Sequence, residues 1–252
     1  MTTESDRWIQ LEGCLNFRDL GGYEGGDGRT VAWGRVYRTD SLHRLTADDV
    51  EHIVAELPVN TAIDLRAHDE VERAGRGLLE ARGVEWVHVA TSDRAMEVPA
   101  EGMPHDWRER RVAELYLVML ETGAGAYGNA LQVLADPARH PVVIFCMAGK
   151  DRTGLLSALT LSLVGAPDEV VAADYALTGT VAAAIRERNR AEFPETKAVT
   201  DVLPPDILNA PAHAMAETLM LIRERFGSVE AFAIEAGGGP DISARLRAAL
   251  LE

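Results

Sequence analysis

The fold of this chain is decided by residues 142–154, which read Val142-Val143-Ile144-Phe145-Cys146-Met147-Ala148-Gly149-Lys150-Asp151-Arg152-Thr153-Gly154. The four apolar residues at the start predict a buried strand, and the apolar residues 155–164 predict a buried helix after the loop. A loop that leads into a helix directs backbone N–H groups and the positive end of the helix dipole at one point. The stretch therefore predicts a site that holds a phosphate group.

Cys146 and Arg152 stand at the two ends of this loop, with five residues between them. Cysteine attacks phosphorus only as a thiolate, and a helix N-terminus and nearby cations lower the pKa of a cysteine thiol. A lone cysteine after a core strand is usually an inert buried thiol, but the loop around this one favours catalysis. We predict Cys146 as the nucleophile of covalent catalysis. Arg152 is predicted to bind two phosphoryl oxygens and to stabilise the transition state.

The other residues of the loop are predicted to bind the phosphate or to shape the backbone around it. Gly149 allows a tight turn, and Thr153 would bond to the thiolate or cap the helix. Lys150 is one of two lysines among 25 basic residues, so a lysine inside the loop is a functional candidate. A nucleotide-binding Walker loop is excluded, because Asp151 stands where that motif needs Ser or Thr. The predicted phosphate contacts of the loop are Met147, Ala148, Gly149, Lys150, Thr153 and Gly154.

Cleavage of a phosphoester needs an acid for the leaving oxygen and a base for the attacking water. Asp151 lies inside the loop and is predicted to fill both roles. Asp64 is the alternative: it ends a predicted strand, and its other role would be to orient Arg66. Further candidates on the segment before the central strand are Asp93 and Asp106.

Five segments of the chain together resemble the bacterial tyrosine-phosphatase-like family with a Cys-X5-Arg loop, related to the mycobacterial secreted tyrosine and phosphoinositide phosphatase. They are, in chain order, Asn16-Phe17-Arg18-Asp19-Leu20-Gly21-Gly22-Tyr23, Val36-Tyr37-Arg38-Thr39-Asp40-Ser41-Leu42, Ala62-Ile63-Asp64-Leu65-Arg66, the cysteine loop, and Asp174-Tyr175-Ala176-Leu177-Thr178. The first segment and the cysteine loop are specific, and the others support them. The resemblance covers roughly residues 13 to 180 and also points to Asp151 as the acid. Arg18, Asp64 and Arg66 are predicted to line or support the substrate site.

One position departs from the family, which has a histidine immediately before the cysteine where this chain has Phe145. This departure raises the alternative of a non-catalytic phosphate-binding module, in which Arg152 still binds the ligand. A third interpretation is sulfur transfer of the rhodanese kind, which also uses a cysteine loop. The intact Asp151, Arg152 and Thr153 favour an active phosphatase. Its substrate would be a phosphotyrosine or phosphoserine protein, a phosphoinositide or a small phosphorylated metabolite, among which the sequence does not choose.

Composition limits the partners of this chain of 252 residues. A net charge of −15 argues against binding to nucleic acid or to anionic membranes, which need excess Lys and Arg. Cys14 and Cys146 form no disulfide framework, the acidic N-terminus is unlike a signal peptide, and the apolar residues 155–166 are too few to span a bilayer. We predict a cytoplasmic protein, with signal-less export left open.

The scattered histidines predict no metal site, and the chemistry requires no cofactor. The oligomeric state is left open.

Strand and helix patterns alternate along the chain and predict one α/β domain over residues 1–252, with a mostly parallel sheet flanked by helices. Strands are predicted at 59–65 and 84–89, and a hairpin at 30–33 and 36–38. Further helices are predicted at 106–122, 124–135, 181–193 and from 212 to the C-terminus. The segment 179–214 interrupts the alternation, and the family resemblance implies a helical lid there.

Overall fold

A mixed sheet forms the centre of the molecule. The computed structural model describes residues 7–91, 111–201, 203 and 205–252. The strands in these ranges are β1 (Arg18–Asp19), β2 (Val36–Thr39), β3 (Thr61–Asp64), β4 (Glu85–His88) and β5 (Val142–Phe145). They lie in the order β1-β2-β5-β3-β4, with only the β1–β2 pair antiparallel. The predicted α/β class with a mostly parallel sheet is confirmed.

Helices cover both faces of this sheet. The helices before the central strand are α1 (Ala47–Glu56), α2 (His68–Ala74), α3 (Val112–Thr122) and α4 (Ala124–Leu134). Those after it are α5 (Asp151–Leu163), α6 (Asp168–Leu177), α7 (Ala182–Glu192), α8 (Thr196–Thr200), α9 (Pro205–Leu208), α10 (Ala212–Phe226), α11 (Val229–Ala233) and α12 (Ile242–Leu250). None of the helices in the described ranges is long and apolar enough to cross a membrane.

Alternate residues of the strands enter two separate cores, because successive side chains of a strand point to opposite faces. Ile144 of β5 joins the larger core, which is built with α3 to α6 and α10 to α12. Phe145 joins the smaller core, which is built with α1. The helix α5 lies inside the larger core, and residues 155–164 are buried except for a half-buried Ser162. This burial matches the apolar pattern predicted all round that helix.

The register of the sheet brings three strand ends to one edge. Phe145, the last residue of β5, lies between Thr39 of β2 and Asp64 of β3. The residues that follow these strands are therefore neighbours at the carboxyl edge, where open α/β sheets bind their ligands. The cysteine loop, Asp40 and Arg66 all begin at this edge.

The predicted hairpin at residues 30–33 and 36–38 is wrong. The strand β2 does form, but it pairs with β1 on one side and β5 on the other, so neither of its edges is left for residues 30–33. Thr30 and Val31 instead make isolated bridges to Glu24 and Leu251. The helix predicted from residue 106 is described from Val112 onward. Asp93 and Asp106, the further acid candidates, lie outside the described residues.

Candidate active site

Cys146 is the first residue after β5, and its buried thiol is 1% exposed. The chain turns over the next four residues and enters α5 at Asp151. Gly149 has a φ of +64°, and a Cβ atom at this position would overlap the backbone carbonyl of Thr39. Glycine is therefore required here both for the backbone conformation and for the close approach of β2. The result is a tight loop between a thiol and a helix N-terminus.

The carbonyl groups of this loop are held on its outer side. Gly149 O accepts hydrogen bonds from Arg38 Nη2 at 2.9 Å and from Asn16 Nδ2 at 3.1 Å. Met147 O accepts one from the backbone N–H of Ser41 at 3.3 Å. Within a planar trans peptide the C=O and N–H groups point in opposite directions. The amides that follow these carbonyls, those of Ala148 and Lys150, are thereby directed toward the inside of the loop, as anion binding requires.

A buried carboxylate, that of Asp174 on α6, supports these anchors from behind. Its Oδ1 bonds to Arg18 Nε at 3.1 Å, and its Oδ2 bonds to Nη1 of Arg38. Arg18 also donates to Thr178 Oγ1 at 3.2 Å and to the side-chain oxygen of Asn16. Arg18 is thus fully buried behind the loop, and its guanidinium reaches Asn16, which reaches Gly149. The first and last segments of the family resemblance meet in this network.

Burial and charge set the protonation of the network. Burial alone would raise the pKa of Asp174, but the guanidinium groups of Arg18 and Arg38 hold it at about 2. Burial, followed by repulsion from Arg38, lowers the pKa of Arg18 to about 10. Asp174 and Arg18 therefore carry their charges near neutral pH, and the carboxylate bonds to two guanidinium groups at once.

Arg152, in the first turn of α5, is held by Glu70 of α2. Arg152 Nη2 donates to Glu70 Oε1 at 3.0 Å, and Nη1 donates to Oε2 and, at 3.3 Å, to Leu65 O. Glu70 Oε2 also accepts the backbone N–H of Ala67 at 2.7 Å. Burial raises the pKa of Glu70, but Arg152 outweighs this and brings it below its usual value. The sequence prediction missed Glu70, although its place three residues into a helix after Asp64-Leu65-Arg66 is a capping position that could have pointed to it.

Asp64 and Arg66 form a closed pair beside the loop. Asp64 Oδ1 accepts from Arg66 Nε at 2.8 Å, and Oδ2 accepts from Arg66 Nη2 at 2.7 Å and from Trp86 Nε1 at 3.2 Å. Both side chains are 0% exposed. Arg66 Nη1 continues to Ser41 Oγ at 3.2 Å. Both carboxylate oxygens of Asp64 are thus bonded to Arg66, as expected if Asp64 orients this arginine, which was the other role considered for it from the sequence.

Phe145 packs within the smaller core, on the other side of β5 from the larger core. Its ring makes an edge contact with Trp86 at 5.4 Å between centroids, and the guanidinium carbon of Arg66 lies 5.3 Å from its centre. The ring therefore fills space beside the Asp64–Arg66 pair. It contributes no hydrogen bond to the cysteine loop.

Asp151 is the more accessible of the two carboxylates, with 20% of its side chain exposed. Its Oδ1 accepts a hydrogen bond from the Tyr116 hydroxyl at 2.6 Å and lies 3.2 Å from Lys150 Nζ. Tyr116 comes from α3 and was not among the predicted site residues. Its neighbours in sequence are apolar, so the pattern there reads only as a buried helix.

Two cations, one from the loop and one from α7, bond to backbone carbonyls of α9. Lys150 Nζ donates to Ile207 O, and Arg186 Nη1 donates to Leu208 O at 2.6 Å. A cavity of about 150 Å³ lies between the 179–214 segment and the loop. Its walls include Ala148, Lys150 and Asp151 on one side and residues of α7 and α9 on the other. Asp151 thus lines a cavity whose opposite wall belongs to this segment.

The remaining predicted contacts lie as follows. The Thr153 hydroxyl is buried and makes no hydrogen bond to any described residue, so it neither caps α5 nor reaches the thiol here. Gly154 packs against the ring of Tyr175.

Cys14 and Cys146 are both free. Burial, and then the charge of Asp40, raises the pKa of the Cys14 thiol. Among the described residues, no three His, Cys, Asp or Glu side chains are grouped so as to hold a metal ion.

Comparison with known proteins shows the family of this chain. The sequence profile of the tyrosine phosphatase family matches residues 9–252. The chain belongs to this family and is a phosphoric monoester hydrolase of the protein-tyrosine-phosphatase kind. Membership of a phosphatase family decides against the sulfur-transfer interpretation.

Several known phosphatases are similar to this chain in sequence or in structure. The chain is 27% identical to the triple specificity protein phosphatase PtpB of Mycobacterium tuberculosis over 282 aligned positions, which cover 96% of this chain and 98% of that one. It is 28% identical to a tyrosine-protein phosphatase of Nostoc commune over 56% of this chain and 47% of that one. Among solved structures, the Siw14 catalytic core superposes with a TM-score of 0.38 at 15% identity, over 80% of this chain and 92% of that one. The core catalytic domain of the Saccharomyces cerevisiae PP-IP phosphatase SIW14 with citrate gives 0.37 at 17% identity, over 77% and 98%.

The Asp174 network yields a prediction for stability. Asp174→Asn should lower the free energy of unfolding by about 3–5 kcal/mol, because it leaves two buried guanidinium groups without a carboxylate. Asp168→Asn on the same helix is the matched control: its pair with Arg223 is exposed, so the loss should stay below about 1 kcal/mol. Urea unfolding at pH 7 measures both, and equal losses would contradict the prediction.

The same network predicts how wild-type stability depends on pH. The folded-state pKa of Asp174, about 2, lies below its ordinary value of 3.8. The contribution of Asp174 is therefore complete above the ordinary value and is lost as the pH falls toward the folded one. Asp174→Asn should therefore flatten the curve of urea midpoint against pH in this window, and an unchanged curve would contradict the prediction.

Proposed function

We propose that this chain hydrolyses phosphomonoesters through a phosphocysteine formed on Cys146. The observation that carries the proposal is the loop itself. Cys146 begins a turn whose carbonyls are bonded to Arg38, Asn16 and the Ser41 amide, so that the intervening N–H groups are left for an anion. The N-terminus of α5 adds its dipole to the same point.

The reaction has two balanced steps. In the first, Cys146 Sγ attacks phosphorus, the bond to the leaving oxygen breaks, and Asp151 donates a proton to that oxygen. In the second, water attacks the phosphocysteine, Asp151 takes a proton from the water, and the S–P bond breaks to release phosphate and the thiolate. The guanidinium of Arg152 and the loop amides stabilise the charge on the three transferring oxygens in both steps.

Arg152 would serve this reaction in competition with Glu70. The carboxylate of Glu70 engages both Nη atoms of Arg152 and neutralises it. A phosphate dianion carries more charge than a carboxylate and is held in addition by the loop amides. Substrate binding would therefore turn Arg152 from its partner toward phosphate, or share it between the two.

The physiological substrate is proposed only as a class. The relative from Mycobacterium tuberculosis bears the name of a triple specificity protein phosphatase. By this likeness, a phosphorylated protein would suit the present site, with its leaving group in the cavity beside Ala148 and Asp151. A phosphoinositide or a small phosphorylated metabolite remains the alternative that the sequence left open. The 179–214 segment would act as a lid, and opening it would release Lys150 from Ile207 O. The cytoplasmic location remains a prediction from the sequence.

The assignment of Cys146 as the nucleophile is tested by replacing its sulfur atom with oxygen. Cys146→Ser should reduce phosphate release to the level of buffer alone on a panel of aryl, alkyl and inositol phosphates, since the serine hydroxyl is not ionised at neutral pH. Cys14→Ser is the matched control, and it should keep near wild-type turnover. Turnover that survives Cys146→Ser would remove the nucleophile assignment. A wild-type protein that binds phosphate and turns over none of the panel would be the non-catalytic module.

The assignment of the acid is tested by dependence on the leaving group. Asp151→Asn should slow hydrolysis of an alkyl phosphate by roughly 10²–10⁴-fold, the usual contribution of general acid catalysis, and that of nitrophenyl phosphate far less. Asp64→Asn is the comparison, and any loss there should be the same on both substrates because its oxygens bond to Arg66 and Trp86. If the leaving-group dependence follows Asp64→Asn instead, the two roles are exchanged.

The effect of Phe145 on the reactivity of Cys146 is tested by alkylation of the thiol. The Cys14→Ser background is used, because Cys146 is then the one cysteine of the chain. A hydrogen bond to a charged group contributes roughly 1.5–3 kcal/mol. If the imidazole of Phe145→His supplies one, iodoacetamide should label Cys146 about tenfold faster at mildly acidic pH than in the Phe145 protein. Phe145→Leu, which removes the ring and adds no donor, should not accelerate labelling. Equal rates in Phe145→His and the parent would mean that the missing histidine does not set the reactivity of this cysteine.

A further inference from the structure

The carboxylate of Asp151 is bonded on one oxygen by a residue outside the loop. Tyr116 lies on α3 and donates its hydroxyl proton to Asp151 Oδ1 at 2.6 Å. The same oxygen lies 3.2 Å from Lys150 Nζ. A hydroxyl donor and a cation thus both lie against Oδ1, which leaves this oxygen poorly suited to carry a proton of its own.

A second tyrosine stands behind the first. The hydroxyl of Tyr175 on α6 lies 2.6 Å from that of Tyr116, and their rings meet edge to face at 6.0 Å. Because the proton of Tyr116 points to Asp151, its oxygen accepts the proton of Tyr175. Burial, followed by the charge of Asp151, raises the pKa of both phenols above the usual value. Both therefore remain protonated and able to donate.

We infer that Tyr116, backed by Tyr175, is a positioning residue that fixes the orientation of Asp151 and assigns its catalytic proton to Oδ2. This inference rests on the proposed function, in which Asp151 is the acid and base. With Oδ1 bonded to Tyr116, the carboxyl group cannot rotate freely about its last bond. The oxygen that remains is Oδ2, which carries the proton toward the leaving group in the first step and receives it from water in the second.

The last segment of the family resemblance, which begins at Asp174, supports the site through two consecutive residues. Asp174 and Tyr175 are consecutive on α6. Asp174 holds Arg38, which bonds to the loop carbonyl of Gly149. Tyr175 holds Tyr116, which bonds to Asp151. One turn of α6 therefore sets both the shape of the phosphate loop and the orientation of the acid beside it.

Tyr116→Phe tests this role, because it deletes the hydroxyl and keeps the ring. We expect kcat for an alkyl phosphate to fall about tenfold, in proportion to one lost hydrogen bond to a charged group. The KM for this substrate and the kcat for nitrophenyl phosphate should change less than about twofold, since a good leaving group needs little acid. Tyr175→Phe should produce a smaller loss of the same kind. Tyr37→Phe is the matched control, because Tyr37 belongs to the core on the other face of the sheet and should leave both rates unchanged.

A double-mutant cycle separates positioning from general damage. In the Asp151→Asn background, Tyr116→Phe should cost nothing further on the alkyl phosphate, because the group that it orients no longer transfers a proton. Equal losses on both substrates, or full additivity in the Asp151→Asn background, would overturn the inference. Should Tyr116→Phe fail to fold, the same cycle run with Tyr175→Phe decides the question. A wild-type protein without turnover, or a Cys146→Ser variant with turnover, would instead count against the proposed function.

Discussion

Two buried guanidinium groups, those of Arg18 and Arg38, share the single carboxylate of Asp174. Each cation would be strongly unfavourable in this environment without its partner, so the three side chains are held in one arrangement. That arrangement fixes the loop, because Arg38 bonds directly to Gly149 O and Arg18 acts on it through Asn16. A residue on α6 that lies behind the cysteine loop therefore helps to determine which way the peptide groups of the loop face.

Three cations of the site are each paired with a carboxylate, so the site carries little excess positive charge. Arg66 is paired with Asp64, Arg152 with Glu70, and Lys150 with Asp151. Under the proposed function, a phosphate dianion entering this site would meet cations that already have partners. Its binding would then depend on the orientation of the loop amides and on the exchange of partners at Arg152, more than on unpaired positive charge.

The sequence predicted those parts of the fold and site that are local in the chain. The strand, cysteine loop and helix of residues 142–163 follow from an apolar run, small residues and a helix start, all within one continuous stretch. The parallel sheet follows from the alternation of strands and helices. Contacts between distant parts of the chain could not be predicted from local sequence patterns. Arg18 lies 156 residues from Asp174. Tyr116 lies 35 residues from Asp151, within an ordinary apolar helix. The hairpin at residues 30–33 and 36–38 was wrongly predicted for a related reason. β2 pairs with β1 and β5, and not with the segment across the nearest turn.

The hydrogen bond between Asn16 and Gly149 spans 133 residues of chain, and Arg18 reaches beyond it to residues of α6. During synthesis on the ribosome, the cysteine loop emerges before α6, and domains fold as units once their chain is available. A nascent chain that ends before Asp174 therefore contains every residue of the Cys-X5-Arg loop but lacks the support that orients it. The network of Arg18, Arg38 and Asp174 behind the loop is complete only after translation has passed this helix.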